Sequence, residues 1–180
     1  AAYNGVVGLK PTMGRISRFG VLPVSWSVDT LGMFTRTVED AALILSVLSG
    51  HDTADPFSAK TDSPSAEIAW SAIGRKPRLG LMRTFFLDMC DSAVVSHVEG
   101  VAALLEANGA SVEEMVFQFD MDALQAAHRT VMNVNAAAIH ERLFESRPYD
   151  YSQDVRRAIE IGLLTPSSTY IQAERIRRAF

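Results

Sequence analysis

Apolar residues arrive in short runs near the start of the chain and at helical spacing further on. Val6, Val7, Gly8 and Leu9 form a brief extended run. Pro11 stops it, because proline cannot donate to a sheet ladder. Residues 13–20, MGRISRFG, then read as a loop. Thr37-Val38-Glu39-Asp40 has the form of a capping box with Asp where Glu or Gln is usual. Behind it Val38, Ala41, Ala42, Leu45 and Leu48 recur at helical spacing, and Gly50 is placed to end the helix. Residues 51–65, HDTADPFSAKTDSPS, are rich in Asp, Ser, Thr and Pro and read as a surface connection.

A βαβ-like unit follows. PRLGLMR, residues 77–83, predicts a strand. Asp91 is placed to cap a helix carrying Val94, Val98, Val101, Leu104 and Leu105 on one face. Asn108-Gly109 ends that helix, and SVEEMVF, residues 111–117, predicts the next strand, parallel to the first. The loop TFFLDM after the first strand has no GxGxxG, so nothing supports a dinucleotide site there. The last third reads as helical. One long helix runs from Asp120 to about Ser146, with Leu124, Ala127, Val131, Val134 and Ala138 on one face. A short helix spans Ser152 to Gly162, and Ser167 or Ser168 caps a final one after Pro166.

Composition narrows the class without naming a function. At 180 residues and 48% hydrophobic, the chain suits one domain or one sizeable piece of a larger one. A net charge of −4 gives no electrostatic case for direct binding to nucleic acid or to an anionic membrane. No charge-free apolar run approaches the length of about eighteen residues that a membrane span needs. No basic segment followed by an apolar one stands at the start, as a secretory leader would require. Cys90 is the single cysteine, so no internal disulfide forms, which accords with a cytoplasmic location. Ala1 leads at once into the apolar run, and the helical pattern TYIQAERIRRAF stops without a cap. The expectation is a portion of a domain over residues 1–180, truncated at both ends.

Candidate chemistry is sparse. The histidines are His51, His97, His128 and His140, and no HExxH or comparable metal spacing occurs, so no metal site is expected. There is no G-x-S-x-G elbow. Ser17, Ser25 and Ser27 lie in loops without a local base, and Cys90 has an acidic neighbour, Asp91, that opposes thiolate formation. No residue is assigned a catalytic role. Asp29, Arg36 and Asp40, in SVDTLGMFTRTVED, suggest instead a polar clip. Asp40 lies in the first turn of the first helix, and Arg36 just before it can fork onto Asp29 or Asp40.

The stretches GVVGLKPTMGRISRFGVLP and SWSVDTLGMFTRTVEDAALILSVLSGHD closely resemble the amidase signature family, hydrolases of carboxamide C–N bonds. NAAAIH, YSQDVRRAIEIG and SSTYIQAERIRR are similar to successive later parts of its members. The resemblance covers nearly the whole chain and is strongest over the first fifty residues. It implies an α/β fold, a mixed β-sheet flanked by α-helices. It also implies acyl transfer by a serine nucleophile, a cis-configured bridging serine and a lysine, with no cofactor. In family members these three precede the equivalent of AAYNGVVGLKPT, so the resemblance carries no triad residue onto this chain, and Lys10 is not the catalytic lysine.

What the resemblance implies is therefore the C-terminal portion of an amidase, inert alone, whose parent takes a small-molecule amide substrate and whose upstream half is the missing partner. Self-association into a homo-oligomer is a further expectation. Two alternatives stand beside it: the amidase subunit of a glutamine-dependent tRNA amidotransferase, and a non-catalytic scaffold or binding module on the same fold. Departures from the family pattern are few. Met33 follows Gly32 where many relatives have proline, which loosens a loop. Asn135 stands where many relatives carry an acidic residue, making it a pocket-side candidate or a helix-packing residue. Arg156 and Arg157 lie near a region that recognises substrate carboxylate in some amidotransferase-like members, or form a solvated helix face.

Overall fold

A computed structural model of the chain describes residues 1–64, 76–116 and 118–180. Three packed groups of elements build it. The first joins β1 (Val7–Leu9), β2 (Met33–Thr35) and α1 (Val38–Leu48). β1 and β2 are antiparallel, with Val7 opposite Thr35 and Leu9 opposite Met33. Thr37 caps α1 as the sequence pattern requires, its Oγ1 accepting the Asp40 N–H at 3.1 Å. The helix stops where Ser49 turns extended and bridges Ile16, and Gly50 follows at φ 148°.

The second group holds β3 (Arg78–Leu81), α2 (Ser92–Ala107) and β4 (Ser111–Glu114). β3 and β4 are parallel, from Arg78 opposite Ser111 to Leu81 opposite Glu114. The Asp91 carboxylate caps α2 by accepting the Val94 N–H, and Gly109 leaves the helix at φ 95°. Phe117, the last residue of the expected strand, and Ser65, the last of the expected surface connection, lie outside the described residues. Among the described residues the expected mixed sheet consists of two separate two-stranded pieces, one antiparallel and one parallel. The apolar face expected on α2 is present but uncovered: no residue of the helix is buried, and Leu104 is 62% exposed.

Three helices form the third group: α3 (Met121–Ser146), α4 (Gln153–Leu164) and α5 (Ser167–Ala179). α3 packs against both others. Its first half buries Ala127 and Val131 against Ala173 of α5, with Tyr170 alongside. Its second half turns a different face, burying Ala136 and Ala137, while Ala138 is exposed. The single stripe expected through Ala138 is thus wrong in its second half, because the partner changes from α5 to α4. Gly162 makes that second contact possible. A Cβ there would sit 2.1 Å from the Asn133 carbonyl oxygen and 2.7 Å from the Ala137 methyl, so only glycine lets the helices approach this closely. Neither Ser167 nor Ser168 caps α5. Pro166 occupies the cap position with no side-chain bond, and Ser167 is already the first helical residue.

The buried apolar set is small for the chain. Ile159 and Val131 are the only large hydrophobic side chains fully buried among the described residues. Phe34, Val47 and Leu164 are 74, 74 and 84% exposed. The accessible surface is 13026 Å², against roughly 8,600 Å² for a compact protein of this length. A surface that large leaves wide apolar faces open to solvent.

Candidate functional site

The loop from residue 13 to residue 29 is ordered around one buried cation. Arg18 lies with its side chain 9% exposed against the Asp55 carboxylate, which is 4% exposed. Its Nη1 donates to the carbonyls of Trp26 and Asp29 at 3.0 and 2.9 Å, and its guanidinium stands 4.6 Å from the Phe57 ring centre. Asp55 accepts the backbone N–H groups of Arg18 and Phe57, which hold its carboxyl below the usual aspartate range, with the Arg18 charge adding to them. Asp52 is lowered in the same direction, first by the Ser17 hydroxyl at 2.6 Å and then by the Ala54 N–H. Gly14 closes the cradle from the other side at φ 84°, where a Cβ would lie 2.6 Å from the Phe57 carbonyl oxygen. So the polar connection at 51–64 is a strap packed on the loop, a role its composition does not show.

These two aspartates fix an acid dependence. With folded values below the ordinary 3.8, their stabilisation is complete above that pH and is lost as pH falls through the folded values. The melting temperature should therefore drop as pH is lowered past about 4, and Asp52→Asn should flatten that drop. A wild-type protein whose melting temperature is constant from neutrality to about pH 3 would contradict the arrangement.

Beyond the loop a polar network crosses to the helices. Ser25 is fully buried. Its Oγ accepts from Asn135 Nδ2 at 2.6 Å, and the same nitrogen reaches Ser27 Oγ at 3.3 Å. On its other side the Asn135 carbonyl accepts from the Tyr170 hydroxyl at 3.4 Å, and that hydroxyl also lies 3.5 Å from Glu174. Burial, and then the Glu174 charge, push the Tyr170 phenol up. Glu174 in turn takes Arg177 through Nε and Nη2, with Arg178 at 3.8 Å. Asparagine suits the central position because it offers a donor to the serines and an acceptor to the tyrosine, whereas a carboxylate offers acceptors only.

The clip expected of Asp29, Arg36 and Asp40 does not assemble. The Asp29 carboxylate instead accepts the N–H groups of Val24 and Ser25, at 2.8 and 2.9 Å, and closes its own turn. Arg36 is exposed and forms no ion pair with Asp29 or Asp40; it shares an open cleft of about 390 Å³ with Asp40 and Phe34. The cation that holds Asp29 in place is Arg18, eleven residues earlier, through the Asp29 carbonyl. The polar work at the start of α1 is done by Thr35 and Thr37, which leaves Arg36 facing solvent.

None of the candidate side chains is an activated nucleophile. Ser17 does have an acidic partner, Asp52, but that carboxylate is too weak a base to take its proton. The Ser25 hydroxyl accepts a hydrogen bond from an amide, which withdraws electron density from it. Among the described residues Lys10 Nζ donates only to the neighbouring Pro11 carbonyl. Cys90 is exposed, and its thiol faces the Phe86 carbonyl. Among the described residues no cluster of His, Cys, Asp and Glu is arranged to hold a metal ion. His140 pairs with the Tyr151 hydroxyl at 3.1 Å, while His128 lines a cleft of about 650 Å³ with Leu124, Arg129 and Arg177. Arg156 stacks at 5.4 Å over the Tyr149 ring. No helix among the described residues is long and apolar enough to cross a membrane.

The comparisons with known proteins agree with one another. The family model described as Amidase matches residues 1–180. An amidase of Pseudomonas putida is 36% identical over 172 residues, covering 95% of this chain and 37% of its own length. The A-type subunit of the Persephonella marina glutamyl-tRNA(Gln) amidotransferase is 32% identical, covering 96% of the chain and 39% of its own length. Among solved structures, one from a vestigial protein complex, presented as revealing the evolutionary origins of an s-triazine catabolic enzyme, superposes with a TM-score of 0.85 at 31% identity. It covers 97% of this chain and 37% of its own. The chain thus spans well under half the length of the relatives it matches.

Proposed function

Because the chain belongs to the amidase family and carries its α/β fold, we propose that it forms part of the body of an enzyme that hydrolyses carboxamide C–N bonds, and that the reacting groups come from outside residues 1–180. The observation that carries the reading is a pairing of two facts. The chain matches the family over its whole length, yet among its described residues the one serine hydroxyl that donates to a carboxylate, Ser17 on Asp52, meets a base too weak to activate it, and the exposed surface far exceeds that of a compact protein. In the proposed enzyme a serine oxygen attacks the amide carbon, the C–N bond breaks as the amine takes a proton, and water then releases the acid from the acyl-serine. Residues 1–180 contribute rigid wall: the loop locked by Arg18 and Asp55, and the helix layer tied to it through Asn135. Such a division makes the chain inert by itself.

Covalent labelling tests this. Treated with a fluorophosphonate, the chain alone should show no stoichiometric adduct by intact mass. A longer amidase polypeptide containing it should take one equivalent, on a serine outside residues 1–180. One fast-labelled serine within this chain would overturn the assignment, and an unlabelled longer polypeptide would leave only a scaffold. The relatives from glutamyl-tRNA(Gln) amidotransferases favour a second reading, in which the amide is glutamine and partner subunits use the ammonia released. Glutamine-dependent ammonia release in the longer polypeptide would select it.

A further inference from the structure

A wide cleft lies apart from the Arg18 cradle and beside the Asn135 network, with which it shares Arg177. It is about 650 Å³, within the range of small-molecule sites, and runs between the first half of α3 and the end of α5. Its lining is of two kinds. Val28, Leu124 and Phe180 supply apolar surface, while His128, Arg129 and Arg177 bring donors to it, and among the described residues no Asp or Glu side chain lines it. Arg129 is exposed and, among the described residues, has no hydrogen-bond or ion-pair partner. Arg177 is held from behind: Glu174 takes its Nε and Nη2, which leaves Nη1 for another acceptor. Arg178 shares the same carboxylate, and Arg175 joins Arg177 and Arg178 along an adjoining cleft of about 370 Å³. Two guanidinium groups of α5, Arg177 and Arg178, therefore share one glutamate, and Arg175 adds a third positive charge beside them.

From this we infer that the cleft binds an amphipathic monocarboxylate, an aryl- or alkyl-substituted acid whose apolar body lies along Val28, Leu124 and Phe180 and whose carboxylate sits between Arg129 and Arg177. A guanidinium fork matches a carboxylate in shape and charge, and a fork already oriented by Glu174 loses little freedom on binding. The apolar wall gives the ligand's body a dry surface that a small inorganic anion would not use. This inference needs no hydrolysis by the protein and stands apart from the reading above.

Titration of the 180-residue chain with 4-phenylbutyrate, followed by saturation-transfer NMR of the ligand, tests it against the neutral 4-phenylbutanamide. The acid should bind, and the amide should bind about tenfold more weakly or not at all, since one charge-assisted pair is worth at least that factor. Arg129→Gln should weaken the acid by about tenfold with an unchanged far-UV spectrum, because among the described residues Arg129 has no hydrogen bond or ion pair to lose. Arg142→Gln, at another exposed position of the same helix, should have no effect. Equal binding of acid and amide, no binding of either, an unchanged affinity in Arg129→Gln, or an equal loss in Arg142→Gln would each overturn the inference.

Discussion

Supplied with the remainder of an amidase domain as a separate polypeptide, residues 1–180 should raise amide hydrolysis by about a hundredfold or more over that polypeptide alone. The magnitude follows from positioning: displacement of reacting groups by about 1 Å, caused far from the chemistry, costs a factor of that order. In the proposed enzyme the reacting groups come from the other polypeptide, and the contribution of residues 1–180 is to keep them in place. The walls it brings are specific. The turn at Val24 to Asp29 is fixed twice, by the Asp29 carboxylate on two backbone N–H groups and by Arg18 on two carbonyls. Ser25 and Ser27 of that turn are then clamped to α3 by Asn135. Association of two pieces costs translational freedom, so the reconstituted rate should stay below that of one continuous chain. The control is the complementary polypeptide alone. If it matches the pair, the supporting role is wrong.

Arg18→Met should be the most damaging single substitution in the first sixty residues. Methionine keeps much of the volume but removes both hydrogen bonds to the Trp26 and Asp29 carbonyls. Two charge-assisted bonds at the lower end of their usual worth amount to about 3 kcal/mol. Beyond that, Asp55 is left beside an apolar side chain, and the stack on Phe57 is lost. Arg36→Met removes a charge from an exposed position with no ion pair to Asp29 or Asp40, and should change stability by no more than about 0.5 kcal/mol. Chemical unfolding of the two variants compares them directly. Equal losses would mean that the loop is held by something other than the Arg18 cradle.

The contrast between those arginines shows what a sequence reveals and what it hides. Local devices are legible. The Thr37 and Asp91 caps, the Gly109 exit and the bounds of α3 follow from residues within a turn or two of each other, and the structure has them where the pattern puts them. Arg36 lies close in sequence to two acids and reads as their partner, yet side chains near in sequence share a contact only when the backbone faces them together. Arg18 carries no such signal. Its carboxylate is 37 residues away on a strap whose polar composition reads as solvated loop. Asn135 is visible as a departure from a family pattern, but its bonds to Ser25, 110 residues earlier, and to Tyr170 depend on how the loop and two helices pack. The face of α3 departs from its periodicity for a related reason: a regular stripe assumes one partner along a helix, and this helix has two.

The large exposed surface leads to the most direct measurement. With Phe34, Val47, Leu164 and the apolar face of α2 uncovered, the chain alone should associate with itself. Its light-scattering mass should exceed that of a monomer and rise with concentration. Mixed with or co-expressed beside the complementary part of an amidase domain, it should instead give a single one-to-one species whose mass does not change with concentration. A chain that stays a folded monomer at all concentrations, and forms no complex with that complement, would contradict the claim that residues 1–180 are one wall of a larger amidase body.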